Sequence, residues 1–366
     1  MESDVLLVAV IVTALAFDFT NGFHDTANAM ATSIATRALA PRRAVALSAA
    51  LNFAGAFVSI KVATTIAEDI VDSHLVTLEV LFAGLVGAIL WNLATWAASL
   101  PSSSSHALIG GLVGAALVSK GGDAVKSDGL FSEVIIPAVL APLIAGAVGL
   151  LATFVAYRVR TRMSRERSDS GFRLGQLGSA SLVSLAHGTN DAQKTMGIIA
   201  LALIAHGSLD SGSGIPLWVK LAAATSIALG TYLGGWRIIR TLGKKLTGDV
   251  EPPQGFAAES SAGSVILASS YYGFPLSTTQ VTSGAVIGSG IGKRLAEVRW
   301  GLAGRMVTAW LITLPAAGVV AAGAFELADA LGAGAGALIV GLAGAAIAAG
   351  MFVVVQRRDP VTAETV

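Results

Sequence analysis

The chain contains no cysteine. Disulfides, thiolate metal sites and cysteine nucleophiles are therefore excluded. Charge is also scarce: Asp, Glu, Lys and Arg make up 13% of the 366 residues. A soluble domain uses about 25% to wet its surface. With 54% hydrophobic residues and a mean hydropathy of +0.72, the composition excludes both a water-soluble globular protein and a disordered one. The opening Met1-Glu2-Ser3-Asp4 lacks the basic stretch of a signal peptide, so the first apolar segment is expected to be retained. What the chain has in abundance is apolar runs and 42 glycines, the small residues used for close helix packing in lipid. The expected fold class is an all-α polytopic membrane protein.

A helix needs about 20 apolar residues to cross a bilayer. Such segments fall at 5–36, 44–66, 79–100, 106–119, 130–157, 174–205, 217–240, 257–274, 276–291, 301–323 and 333–355. The first is too long for one straight crossing and carries Asp18, Asn21, His24, Asp25 and Asn28, so a break or tilt is expected inside it. Segments 106–119 and 276–291 are too short to cross alone and read as the second arms of re-entrant hairpins.

Lys and Arg segregate to alternate loops. One set holds Arg37, Arg42 and Arg43, the stretch from Arg158 to Arg173, then Arg237 to Lys245, Lys293 to Arg305, and Arg357 and Arg358. The opposite loops are acidic, with Lys120 and Lys126 as minor exceptions. The positive-inside rule then places the N-terminus outside and the C-terminus in the cytoplasm.

The sequence also repeats itself. Asn21-Gly22-Phe23-His24-Asp25-Thr26-Ala27-Asn28 resembles His187-Gly188-Thr189-Asn190-Asp191-Ala192-Gln193-Lys194. Pro101-Ser102-Ser103-Ser104-Ser105-His106 resembles Pro275-Leu276-Ser277-Thr278-Thr279-Gln280, and Gly110 and Gly114 match Gly284 and Gly288. Given the charge pattern, one hairpin enters from each side, which makes the halves inverted repeats, as in many secondary transporters. The expected division is residues 1–157, a basic cytoplasmic linker 158–173, the second repeat 174–323, and an extra helix with a short tail at 324–366.

Charges inside apolar segments are costly and default to function. Asp25, Asp191 and Lys194 are the clear cases, with Asp18 weaker. A structural ion pair is the bland alternative, disfavoured because the two Asp occupy matching repeat positions. Each hairpin tip places hydroxyl residues at a new helix start after a proline, where free N–H groups and hydroxyls form an anion site without arginine. A doubly charged oxyanion with Asp25 and Asp191 totals about −4 against +1 on Lys194, too much to leave bare in low dielectric. The site therefore implies co-bound cations: Na⁺, H⁺ or a metal ion.

Gly22 to Thr32 and Gly188 to Gly197 resemble the paired signatures of the PiT family of inorganic phosphate transporters, with similarity running from about residue 10 to 323. The resemblance implies an inverted-repeat bundle with two re-entrant hairpins, commonly a homodimer, in the prokaryotic plasma (inner) membrane. It implies alternating-access symport of phosphate with Na⁺ or H⁺, in some bacterial members as a complex with a divalent metal. It makes Asp25, Asn28, Asn190 and Asp191 cation or phosphate ligands, with Na⁺ at Asp25 and Asp191. It makes Ser103, Ser104, Ser105, Ser277, Thr278 and Thr279 phosphate donors, with Gln280 close by and Lys194 balancing charge. The short linker is like that of prokaryotic members, and the first motif keeps phosphate-type residues where sulfate-transporting relatives diverge.

For His24 and His106 two readings stay open: plain hydrogen bonding and proton coupling. Gly288-Ser289-Gly290-Ile291-Gly292-Lys293-Arg294 has the wrong spacing for a phosphate loop. The small residues at Gly332 to Gly336 suit helix packing, against a second subunit for instance. No nucleic-acid partner is expected. Two other functions compete. An intramembrane aspartyl protease would use Asp25 and Asp191 as a dyad, but Gly188-Thr189-Asn190-Asp191 departs from its usual Gly-x-Gly-Asp pattern. A cation exchanger would have no use for twin helix N-termini aimed at an anion.

Overall fold

The computed structural model describes residues 2–293 and 298–366; Arg294, counted above among the basic loop residues, lies outside them. Among the described residues the chain is helical without strands. The first half runs α1 (Glu2–Ala35), α2 (Pro41–Gly55), α3 (Lys61–Glu68), α4 (Leu78–Ala97) and α5 (Ser104–Lys120). A one-turn α6 (Ser127–Gly129) and a π-helical turn (Leu130–Ile135) lead into α7 (Ile136–Arg160). The second half runs α8 (Arg165–Ala205), α9 (Leu217–Leu233), α10 (Trp236–Arg240) with a π-helical turn (Thr241–Lys245), α11 (Pro252–Tyr272), α12 (Thr278–Lys293) and α13 (Trp300–Ala330). The order is the same in both halves: one long helix, one interrupted helix, one middle-length helix, one short helix and one long helix. α14 (Ala333–Arg358) stands outside it.

Packing follows the same exchange of halves. α1 packs on α9 as α8 packs on α2, and α5 packs on α13 as α12 packs on α7. The matched glycines explain the last two crossings. A β-carbon on Gly114 would lie 2.3 Å from the Gly318 carbonyl oxygen, and one on Gly288 only 1.9 Å from that of Gly146. One turn earlier, Gly110 and Gly284 meet the carbonyl oxygens of Leu314 and Pro142 at 2.2 and 2.3 Å in the same sense. Only backbone fits between these helices.

Each short helix begins after a turn of one type. α11 ends with Gly273 at φ 93°, and the Phe274 N–H donates back to the Ser269 carbonyl at 3.0 Å. At the matching place α4 ends with Ser99 at φ 56°, and the Leu100 N–H donates to the Thr95 carbonyl at 3.0 Å. The left-handed residue ends the helix and sends the chain back toward the bundle interior.

Among the described residues, five helices are long and apolar enough to cross a membrane: Ser3–Ala35, Leu78–Ala97, Ser127–Arg160, Trp300–Ala330 and Gly334–Arg358. The pair Leu217–Leu233 and Trp236–Lys245 qualifies jointly but bends by 59°. α7, α13 and α14 present large apolar side chains outward, Leu311 and Leu342 being 72% and 74% exposed, as a lipid-facing surface requires. α5, α8, α11 and α12 carry most of the buried polar residues and sit behind them.

Four features differ from expectation. α1 runs unbroken from Glu2 to Ala35; Asp25 and Asn28 find partners on α5 and α12 without interrupting its backbone ladder. Segment 44–66 is interrupted at 56–60, and segment 217–240 turns at Gly234, whose φ is 80°. α8 starts at Arg165, so most of the expected linker is the first turns of a 41-residue helix.

Candidate functional site

α5 and α12 start near the middle of the bundle, and their first turns face α1 and α8. Ser103 caps α5 by accepting the His106 N–H at 3.0 Å, and Ser277 accepts the Gln280 N–H at 3.2 Å. The positive ends of both helix dipoles thus point into the interior, where donors not used within a helix remain available. Ser103, Ser104, Ser105, Ser277, Thr278, Thr279 and Gln280 are all buried.

Two carboxylates meet these ends. Ser104 Oγ donates to Asp25 Oδ2 at 2.9 Å. Its counterpart, Thr278 Oγ1, lies 3.0 Å from Asp191 Oδ2 and 3.4 Å from Asp25 Oδ2. One hydroxyl hydrogen can serve only one of these two acceptors. Asn28 Nδ2 donates to Thr279 Oγ1 at 3.0 Å and to Thr278 Oγ1 at 3.3 Å. At the place matching Asn28, Lys194 Nζ donates to Ser105 Oγ at 2.6 Å, to the Leu276 carbonyl at 2.8 Å, and to Asp191 Oδ1. His106 Nδ1 and Gln280 Nε2, themselves counterparts, touch at 3.3 Å. The contacts Ser104–Asp25 and Asn28–Thr279 of one half thus match Thr278–Asp191 and Lys194–Ser105 of the other.

The halves differ in charge. Lys194 replaces Asn28, and His187 replaces Asn21. His187 Nε2 lies 2.9 Å from Asp191 Oδ2, one helical turn away, and its Nδ1 lies 3.1 Å from Asn52 Oδ1. Asn52 Nδ2 donates to Thr231 Oγ1 at 2.7 Å, which fixes the amide and hence the ring. Asp25 has its own histidine, His24 Nδ1 at 2.5 Å. Ligand atoms of Asp25, His187 and Asp191 all lie within 4.8 Å of one another, close enough to share a metal ion. Asn28 Oδ1 and Asn190 Oδ1 are buried acceptors with no hydrogen-bond donor among the described residues, while Asn190 Nδ2 is held by Ser270 Oγ at 2.9 Å. A cation would satisfy such oxygens.

The structure therefore brings together Asp25, Asp191, Asn28, Lys194, Ser104, Ser105, Thr278 and Thr279. It uses Ser103 and Ser277 as caps, with Gln280 against His106. Two residues escaped the sequence reading. His187 sits in the quoted motif, and its signal was the spacing of four from Asp191, which puts both on one helix face. Glu259 lies just inside segment 257–274. Its buried carboxylate accepts from Thr32, Ser33 and Ser179 at 2.6–2.7 Å and from Gln176 at 3.2 Å. The signal was a carboxylate among small and hydroxyl residues; its place at the segment edge concealed it.

A lipid-facing helical shell around a buried, charged, hydroxyl-lined site between opposed helix ends defines a membrane-embedded transporter rather than an enzyme. The chain belongs to the phosphate transporter family, which it matches over residues 21–321. It is 60% identical over 335 residues to a probable low-affinity inorganic phosphate transporter of Mycobacterium bovis, covering 91% of this chain and 80% of that one. A protein of the same description from Bacillus subtilis is 43% identical over 325 residues, covering 88% and 96%. Among solved structures, the sodium-dependent phosphate transporter has the same fold, with a TM-score of 0.79 at 23% identity over 89% of this chain and 99% of that one. This is a multi-pass membrane protein, which in a bacterium resides in the plasma membrane.

Proposed function

We propose that the protein imports inorganic phosphate by symport with a cation through alternating access. The observation that carries this reading is the sharing of hydroxyls. Ser104 and Thr278, at the tips of α5 and α12, spend their hydrogens on Asp25 and Asp191. A cation that takes over those carboxylate oxygens frees both hydroxyls to turn toward an anion at the helix ends. Phosphate then gains two donors beside two helix N-termini, and each ion improves the site for the other. In this scheme Ser103, Ser105, Ser277, Thr279, Gln280 and Lys194 complete the phosphate shell, and Asn28 and Asn190 lend oxygens to the cation.

The matched contacts support a pair of repeats, 1–157 and 174–323. The alternation of basic and acidic loops supports their inverted orientation, with α5 and α12 as re-entrant arms, the N-terminus outside and the C-terminus in the cytoplasm. α14, outside the repeat and largely exposed, suits a dimer contact. A second reading, in which phosphate travels as a complex with a divalent metal, is favoured by the His187 nitrogen beside two carboxylates, since imidazole with carboxylate suits transition metals better than Na⁺.

Uptake of labelled phosphate by proteoliposomes, with Na⁺ and pH gradients imposed separately and with divalent metal present or chelated, tests the proposal. Saturable, gradient-driven uptake is expected, and its loss in Asp25→Asn and in Asp191→Asn. Full uptake in both variants would remove these carboxylates from the mechanism. Cation flux that needs no phosphate would favour an exchanger.

A further inference from the structure

Asp18 plays no part in the site described above, yet it is a buried charge with both oxygens unpaired among the described residues. It lies on α1, seven residues before Asp25, so two turns and about 10 Å toward the N-terminal end. It is fully buried, and neither carboxylate oxygen has a hydrogen bond among the described residues. The Thr195 hydroxyl of α8 faces it without reaching hydrogen-bonding geometry, and is itself buried and unpaired. Asn21, three residues on and so on the same face of α1, has a buried side-chain oxygen with no donor. The charged groups within electrostatic reach are Asp191 and Lys194, both on α8.

A bare carboxylate in such surroundings is untenable; it must hold a proton or a cation. A cation would find one carboxylate and two neutral oxygens, a thin shell. A single proton accounts for more. Bound to one Asp18 oxygen, it sits on the face of α1 that also carries the orphaned Asn21 Oδ1, and the Thr195 hydroxyl can turn toward the other oxygen. The bare carboxylate is removed, and with it one negative charge near the anion site.

We propose that Asp18, with Asn21 and Thr195, is a proton-binding site whose occupancy is linked to phosphate binding. Asp18 takes the proton from water on the N-terminal side of the site as phosphate enters, and returns it to water when phosphate leaves. With Asp18 ionised, Asp18, Asp25 and Asp191 against Lys194 leave a net charge of about −2, which opposes an anion; with the proton bound it is about −1. Linkage makes the effect reciprocal: phosphate favours the proton as the proton favours phosphate. The inference rests on the phosphate-transport reading and adds to it a named proton acceptor.

The test is equilibrium binding of labelled phosphate to the purified full-length protein over a series of pH values, for wild type, Asp18→Asn and Asp18→Glu. The ratio of wild-type to variant Kd cancels the ionisation of phosphate itself. For Asp18→Asn this ratio is expected to change about tenfold across the series, within the usual range of coupling energies. For Asp18→Glu, which keeps a carboxyl group, it should stay close to constant. A flat ratio for Asp18→Asn would overturn the assignment. Thr195→Val supplies a second route should Asp18→Asn fail to fold: it removes the hydroxyl that can turn toward the Asp18 carboxyl, so the pH dependence of its phosphate Kd must differ from that of wild type, and an unchanged pH dependence overturns the proposal. Absence of saturable phosphate binding in wild type would instead overturn the transport reading, and this inference with it.

Discussion

Replacing Thr278 by valine keeps the shape of the side chain and removes one hydroxyl. That hydroxyl accepts from Asn28, lies 3.0 Å from Asp191 Oδ2 and 3.4 Å from Asp25 Oδ2, and stands in the first turn of α12. A hydrogen bond to a charged group is worth about 1.5–3 kcal/mol. If the hydroxyl passes from carboxylate to phosphate during binding, its loss should raise the KM for phosphate by about ten- to a hundredfold. Thr278→Ser, which restores the donor without the methyl group, should return KM to near the wild-type value. The assay is initial-rate uptake of labelled phosphate by proteoliposomes at saturating cation, with protein orientation and amount matched between variants. Thr278→Val with a KM within about twofold of wild type would refute the sharing of this hydroxyl. Because Ser104 is the counterpart of Thr278, Ser104→Ala should show the same direction.

Three further outcomes concern the scaffold. Ser99→Gly places glycine in the left-handed conformation that serine holds at φ 56°, and should stabilise the detergent-solubilised protein by about 0.5–1 kcal/mol in thermal unfolding, as Gly273 does for the second tip. Gly288→Val forces a side chain into the Gly146 carbonyl oxygen, so α12 must separate from α7 and the yield of folded protein should collapse; Gly301→Val, with nothing within 4 Å, should be tolerated. At the α11 start, burial pushes the Glu251 carboxyl up, but hydrogen bonds from Tyr157 and Arg160, both at 2.5 Å, outweigh it and hold the group below its ordinary value of 4.5. A lowered carboxyl contributes stability above its unfolded value and loses it as pH falls through the folded one. The melting-temperature gap between wild type and Glu251→Gln should therefore be full near neutrality and close below pH 4.5.

The parts of the protein that were legible in the sequence are those where chemistry is tied to spacing. Asp25 and Asp191 stood out because ionisable groups are rare in apolar runs, and Gly114 and Gly288 because the repeat placed them at the same distance from the tip motifs. The less legible parts depend on neighbours from elsewhere in the chain. The unbroken course of α1 goes with partners on α5 and α12 for Asp25 and Asn28. The bend at Gly234 is a backbone conformation that one glycine among 42 does not announce. Lys194 could be placed near the site, but its grip on Ser105 and the Leu276 carbonyl needed the fold of α5 and of the loop before α12. Glu259 was missed because its four donors come from two other helices, α1 and α8.

The glycine crossings between α5 and α13 and between α12 and α7 also have a mechanical consequence. Backbone against backbone at these distances leaves no room to slide, so each short helix travels with a long helix from the opposite half of the chain. The two tips that face Asp25 and Asp191 are therefore passengers, each carried by the other half's strut. In the alternating-access cycle proposed above, neither half could swing alone without dragging the other's tip across the carboxylates. Residues 56–60 and the Gly234 elbow interrupt the matching helices of the two halves, and close backbone contacts flank them as well: a β-carbon on Gly55 would lie 2.3 Å from the Leu185 carbonyl oxygen, and one on Gly235 2.3 Å from that of Phe23.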